Sequence, residues 1–251
     1  MSNRFDLTGK TALVTGSAQG LGQGIALALA EAGADIVSVS LTSSAETVHK
    51  AEAFGVKATG IEVDLSDHSK LQATFDEALK LTGRVDILVN NAGIIRRAPA
   101  KDHSAKDWFD VINLNLNTAF LLTQITGRHM LERGSGKIIN ICSMLSYQGG
   151  INVPGYTASK HGIAGLTRAF ANEWAVSGIN VNGIAPGYMA TDNTAPIRSD
   201  ENRTQSITDR IPAGRWGTAE DVKGPAVFLA SAASDYVNGH VLNVDGGWMA
   251  R

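Results

Sequence analysis

Short apolar runs rich in valine, isoleucine and threonine recur along this chain, and stretches of helical periodicity fill the gaps between them. Residues 11–15, 36–39, 58–63 and 87–90 read as strands, as do 137–141, 180–184 and 240–244. Helical spacing covers 20–32, 45–54, 69–82, 105–132, 155–176 and 219–230. Apolar strands separated by helices call for parallel βαβ units with both faces of the sheet covered. The expected fold is α/β, a doubly wound parallel sheet with helices on both faces. No linker, repeat or low-complexity segment interrupts it, so 1–251 is read as a single domain. Residues 188–216 form the least regular stretch, long, polar and helix-tolerant in parts. Such an excursion inside a compact domain is expected to be a functional lid.

A hydrophobic share of 43% with 18% charged residues suits a sizeable core. The net charge of −2 offers no attraction to nucleic acid or to an anionic membrane, so neither is expected as a partner. One cysteine, Cys142, excludes an internal disulfide framework and a Cys-rich metal site, and no metal is expected. The opening MSNRFDLTGK lacks the apolar stretch of a secretory signal, and no apolar run reaches the ~20 residues of a membrane span. A soluble, cytoplasmic protein is therefore expected.

Directly after the first strand stands Thr15-Gly16-Ser17-Ala18-Gln19-Gly20-Leu21-Gly22. Glycines there allow a sharp turn and a close approach of backbone N–H groups to a pyrophosphate, with the positive end of the next helix aimed at the same anion. The spacing is neither G-x-G-x-x-G nor a P-loop. Asp64, with Leu65 after it, ends an apolar strand. Its carboxylate suits either an adenine amino group or a turn cap. Asn90-Asn91-Ala92-Gly93 ends another strand, at the edge where open α/β sheets hold ligands.

Tyr156 and Lys160 lie four residues apart in a helical segment, hence on one face. A free phenol titrates near ~10 and is a poor base at neutral pH, whereas a nearby ammonium favours the phenolate. Ser143, just past the strand at 137–141, is placed to hydrogen-bond a substrate oxygen.

With these motifs assembled, the chain resembles the short-chain dehydrogenase/reductase family over essentially its whole length. The matching pieces are the glycine turn, Asp64, Asn90 to Gly93, Ser143, Tyr156 with Lys160, and Pro186-Gly187. The resemblance implies a Rossmann-like single domain and a nicotinamide cofactor. That cofactor would be held by Gly16, Ser17, Gln19, Gly20, Leu21, Gly22, Ser40, Asp64 and Leu65. Asn91, Ala92, Gly93, Tyr156, Lys160, Pro186, Gly187 and Thr191 would complete its site. It further implies a catalytic set of Ser143, Tyr156, Lys160 and Asn115, the last holding a water in a proton relay. Asn113 competes for that assignment, though the residues after Asn115 match better. Ser40 stands where NAD-users of the family often carry an acid, while Leu41 and Gln19 stand where NADP-users often carry a cation. NAD is therefore favoured over NADP, with Thr42, Ser43 and Ser44 still able to bond a phosphate.

Within the family the chain looks most like the sugar-acid dehydrogenases, so a small sugar acid is the expected substrate. Another polyol or ketone reductase is the near alternative, and a nucleotide-sensing scaffold without turnover is the alternative of another class. Arg96, or Arg97 beside it, is the candidate to pair with a carboxylate, unless nearby Asp102 takes it up. Gln148, Tyr188, Asn193 and Arg215 are polar candidates beside Ser143 and Tyr156, and Trp216 and Trp248 are candidate walls. His161 is read as a surface residue. Leu166, Phe170 and Trp174 recur at helical spacing, which suits either core or the homotetramer interface usual in the family.

Overall fold

The computed structural model describes residues 3–251, except for the side chain of Asn193. Among these residues seven parallel strands form one sheet. They are β1 (Thr11–Thr15), β2 (Asp35–Ser40), β3 (Ala58–Glu62), β4 (Ile87–Asn90), β5 (Gly136–Ile141), β6 (Ile179–Pro186) and β7 (Val241–Val244). Their spatial order is β3-β2-β1-β4-β5-β6-β7. The helices are α1 (Gly20–Glu31), α2 (Ala45–Glu52), α3 (Leu71–Thr82), α4 (Ala105–Ile112), α5 (Thr118–Arg133), α6 (Pro154–Trp174), α7 (Ala195–Arg198), α8 (Glu201–Arg210) and α9 (Ala219–Ala230).

Side chains alternate across each strand, and both faces find an apolar partner. Ala12 and Val14 of β1 pack with Ile25 and Leu29 of α1 and with Val222 and Leu229 of α9. Leu13, on the opposite face, joins Phe75 of α3, Leu122 and Met130 of α5, and Trp174 of α6. All residues of β1 and β4 are buried, which explains why these strands read as unbroken apolar runs. The chain winds outward from β1 to β3, then crosses back to β4 on the other side of β1. That reversal opens a crevice at the C-terminal ends of β1 and β4.

Two features refine the sequence reading. The helix expected over 105–132 is interrupted by a π-turn at Asn113–Asn117, because one extra residue is accommodated in the ladder. The Asn113 carbonyl, displaced from regular pairing, lies 3.2 Å from His68 Nε2 and 3.1 Å from the Thr118 hydroxyl. The helix-tolerant parts of the excursion at 188–216 are α7 and α8. Its two ends are pinned together: Ala190 N–H donates to the Gly217 carbonyl at 2.8 Å, and Gly217 N–H to the Tyr188 carbonyl at 2.9 Å. No helix among the described residues is long and apolar enough to cross a membrane.

At the N-terminal ends of the central strands β1 and β4, the buried Asp86 carboxylate accepts from Thr11 N–H at 3.0 Å and from Arg133 at 2.5 Å, and it also pairs with Arg84. Burial pushes this carboxyl up, but the bonds from Arg84, Arg133 and Thr11 outweigh it and leave its pKa below the usual value. A folded value below the unfolded one means that the unfolded chain binds more protons, so this stabilisation is present above ~4 and fades as pH falls through the folded value. Asp86→Asn is expected to lower the unfolding free energy by about 2 kcal/mol at pH 7. In urea titrations the gap to the native protein should shrink as both are taken to acid pH. A gap independent of pH would mean that the carboxylate charge is not its source.

Candidate active site

The crevice begins where β1 ends. Gly16 has φ +64°, and a Cβ there would stand 2.9 Å from the Ala92 Cα. Gly22, in the first turn of α1, would bring a Cβ to 2.3 Å from the Gly16 carbonyl oxygen, so both positions need glycine for room. Thr15 and Asn91 sew this turn to the loop after β4. The Thr15 hydroxyl accepts from Asn91 N–H and Ala92 N–H, each at 3.0 Å. The Asn91 amide in turn donates to the carbonyls of Thr15 and Gly16. Gln19 caps α1 without a side-chain hydrogen bond, and no acid sits in the first turn. The N–H groups and positive end of α1 are thus presented to the crevice, as an anion requires. Gly16, Gln19, Gly20, Leu21 and Gly22 line it together with Asn91, Ala92 and Gly93.

A second hollow continues past β2 and β3, lined by Ser40, Leu41, Thr42, Asp64 and Leu65. Ser17 lies beneath the turn, donating to the Val14 carbonyl at 2.8 Å and standing 2.7 Å from the Ser38 hydroxyl. The Ser40 hydroxyl accepts from Ala18 N–H at 3.0 Å and so props the turn from below. Asp64 lines this hollow and also caps a turn. The Ser66 hydroxyl and N–H that it accepts hold its carboxyl below the usual range.

Lys160 and Tyr156 occupy the first turns of α6, which starts at Pro154, a residue suited to a position with no N–H to satisfy. The Lys160 ammonium is buried, donates to the Ile141 carbonyl at 2.5 Å, and stands 5.5 Å from the centre of the Tyr156 ring. Tyr156 and Lys160 line the same crevice as the glycine turn. Ser143 begins a single helical turn after β5; its hydroxyl accepts from Leu145 N–H at 3.1 Å and keeps its own proton to donate. That turn is locked to α6 by Ser146, whose hydroxyl donates to the Lys160 carbonyl at 2.7 Å. Burial pushes the Cys142 thiol up to about 11, so it is no nucleophile at neutral pH.

The π-turn buries Asn115 and leaves Asn113 half-exposed and bonded to Asn117. The Asn115 amide accepts from Ile94 N–H at 2.8 Å, donates to the Ile94 carbonyl at 3.0 Å and lies 3.3 Å from the Ser159 hydroxyl. Ser159 in turn donates to the Tyr156 carbonyl at 2.8 Å. Sequence reasoning missed this role of Ser159, as well as Ile95, Ile141 and Asp192 in the crevice wall. Nothing in their residue types distinguished them from ordinary core or turn positions.

Pro186 ends β6 and Gly187 follows it; a Cβ on Gly187 would stand 2.7 Å from the Asp245 Cα. Thr191 lines the same crevice as Tyr156. The Tyr188 ring contacts those of Trp216 and Trp248, with centroids 5.3 and 4.8 Å away. Gln148 accepts from the Trp248 indole N–H at 3.4 Å. Arg96 lies 3.4 Å from Asp107, not Asp102, and Ile95 rather than Arg96 lines the crevice. Arg215 is held at both terminal nitrogens by Asp221. The Asn193 side chain lies outside the described residues. His161 faces the Thr157 carbonyl from the exposed side of α6. Trp174 is core, its ring filling the space over Gly127, while Phe170 stacks between it and Phe120. Among the described residues, no group of His, Cys, Asp or Glu side chains stands together as a metal site.

Residues 10–202 match the family model described as short chain dehydrogenase. The chain is 60% identical to the 2-dehydro-3-deoxy-D-gluconate 5-dehydrogenase of Bacillus subtilis, covering 100% of this chain and 99% of that protein. A solved structure from Agrobacterium tumefaciens, provisionally assigned as a 2-deoxy-D-gluconate 3-dehydrogenase with bound NADP, is 51% identical. It superimposes with a TM-score of 0.94 and full coverage of both chains. A gluconate 5-dehydrogenase from Burkholderia cenocepacia, in complex with NADP and tartrate, is 42% identical with a TM-score of 0.95, covering 99% of this chain and 98% of that one.

Gly22→Ala is expected to force apart the turns after β1 and β4. Reduced-nicotinamide fluorescence should then report dinucleotide affinity weakened at least about tenfold, with unchanged far-ultraviolet circular dichroism. Full affinity would show that the two turns yield to a methyl group.

Proposed function

The chain belongs to the short-chain dehydrogenase family, and we propose that within it the protein moves a hydride between a nicotinamide dinucleotide and a secondary alcohol or ketone of a sugar acid. The substrate is of the 2-deoxy-D-gluconate or 2-dehydro-3-deoxy-D-gluconate type, a reading supported by the names and extent of the relatives. The observation that carries it is the buried Lys160 ammonium beside the Tyr156 phenol, in the crevice that the glycine turn opens.

The bound nicotinamide supplies the hydride donor or acceptor. Tyr156 exchanges a proton with the substrate oxygen, and the Ser143 hydroxyl donates to that same oxygen. The Lys160 ammonium stabilises negative charge on the phenol and holds the ribose hydroxyls. Asn115 keeps a water in line between Lys160 and solvent. The unfilled N–H groups at α1 take the pyrophosphate, Asp64 and Leu65 the adenine, and Pro186, Gly187 and Thr191 the nicotinamide side. Gln148 and Tyr188 face the sugar hydroxyls, and 188–216 closes over them as the lid of a single domain.

NAD is the favoured coenzyme, because no cation stands among the described residues lining the hollow at Ser40 and Leu41. No carboxylate replaces Ser40 to repel a 2′-phosphate, so NADP, which both solved relatives contain, is also accepted. The protein works as a homotetramer in the cytoplasm, with the half-open Phe120 and Phe170 face of α5 and α6 at the subunit contact. Light scattering should return about four times the 26.4 kDa chain mass; a monomer would contradict that assembly.

The deciding experiment follows reduced-cofactor absorbance with aldonates and keto-deoxy sugar acids, each with NAD(H) and NADP(H), for the native enzyme and Tyr156→Phe. Native turnover of a sugar acid is expected, faster with NAD(H), and Tyr156→Phe should lose at least about a thousandfold in kcat while retaining cofactor affinity. A variant that still turns over would remove Tyr156 from the proton step. A native protein that binds dinucleotide and turns over nothing would favour the sensing scaffold.

A further inference from the structure

Arg96, expected to meet a substrate carboxylate, is engaged by Asp107, and Arg215, a polar candidate beside the site, by Asp221. Arg210, the last residue of α8, is held in another way. Its guanidinium lies over the Trp248 indole, with Cζ 3.9 Å from the ring centre, and no salt bridge among the described residues neutralises it. A guanidinium stacked on an aromatic face keeps its full charge and has its plane fixed. Its edge N–H groups then remain available, in parallel, to a carboxylate.

Trp248 is a firm base for that presentation. It is 4% exposed, its N–H is directed at Gln148, and its ring meets that of Tyr188. Gln148 follows the turn that starts at Ser143, and Tyr188 follows Pro186-Gly187. Met144, adjacent to Ser143, shares a small apolar cluster with Trp248 and with Ile207 and Ile211, at and just beyond the end of α8. Trp248 therefore joins the ends of β5 and β6, which flank the crevice, to the helix carrying Arg210.

We propose that Arg210, seated on Trp248, binds the carboxylate of the sugar-acid substrate. This rests on the sugar-acid reading above and supplies the charge recognition that reading lacks. The reacting carbon lies between Ser143 and Tyr156. The acid end of the same extended molecule points past Gln148 toward α8, and lid closure brings the guanidinium onto it.

The test compares kcat/KM for a sugar acid and for its uncharged amide in the native enzyme and in Arg210→Gln, Arg210→Lys, Arg96→Gln and Arg97→Gln. Arg210→Gln should cut the acid-to-amide ratio about a hundredfold, and Arg210→Lys, which keeps the charge but loses the flat fork, about tenfold. The Arg96 and Arg97 variants should leave the ratio within about threefold. Equal losses on acid and amide in both Arg210 variants would reduce Arg210 to a structural role and overturn the proposal. So would a collapse of the ratio confined to Arg96→Gln or Arg97→Gln. A native enzyme that does not prefer the acid over its amide would instead defeat the sugar-acid reading, and the proposal with it.

Discussion

A lysine ammonium withdrawn from water is the constraint around which this site is arranged. An isolated buried cation is costly, and it persists only where oxygen atoms are held ready for it. Lys160 meets that requirement through the Ile141 carbonyl, at the end of β5, with the Tyr156 ring beside it. The carbonyl is fixed by the sheet, the helix by its proline start, and the two are locked together through Ser146. Charge is thus positioned before any ligand arrives, which is what electrostatic catalysis demands of a scaffold.

The surrounding loops are tied to one another as tightly as the strands are. Thr15 and Asn91 join the turns after β1 and β4 through side-chain bonds to backbone groups. Asn115 joins the loop after β4 to α6 through Ile94 and Ser159. The π-turn is what lets Asn115 do this, because a regular helix would rotate that side chain to another face. A local departure from ideal geometry therefore links the glycine turn, by way of the loop after β4, to the helix of Tyr156 and Lys160.

Much of this was legible in the sequence, for identifiable reasons. Buried parallel strands must be apolar on both faces, so β1 and β4 announced themselves, and glycines needed for close approach stood out at Gly16 and Gly22. The i, i+4 spacing placed Tyr156 and Lys160 on one face because helices permit little else. The π-turn was hidden, since Asn-Leu-Asn-Leu-Asn satisfies helical periodicity and the displaced Asn113 carbonyl is met by the remote His68 as well as by the adjoining Thr118. The arginines were equally opaque. Proximity in sequence suggested Asp102 as the partner of Arg96, yet helix geometry brings Asp107 instead. Arg210 could be distinguished only after the chain end had folded back to set Trp248 beneath it.

The central claim is that Lys160 bridges the phenol and the cofactor ribose. A crystal structure of the protein with reduced dinucleotide and an unreactive sugar-acid analogue tests it most directly. The account predicts the Lys160 ammonium within hydrogen-bonding distance of the ribose hydroxyls, with the Tyr156 and Ser143 hydroxyls both on the analogue's oxygen. An ammonium out of reach of the ribose, with the analogue bound beyond reach of Tyr156, would contradict it.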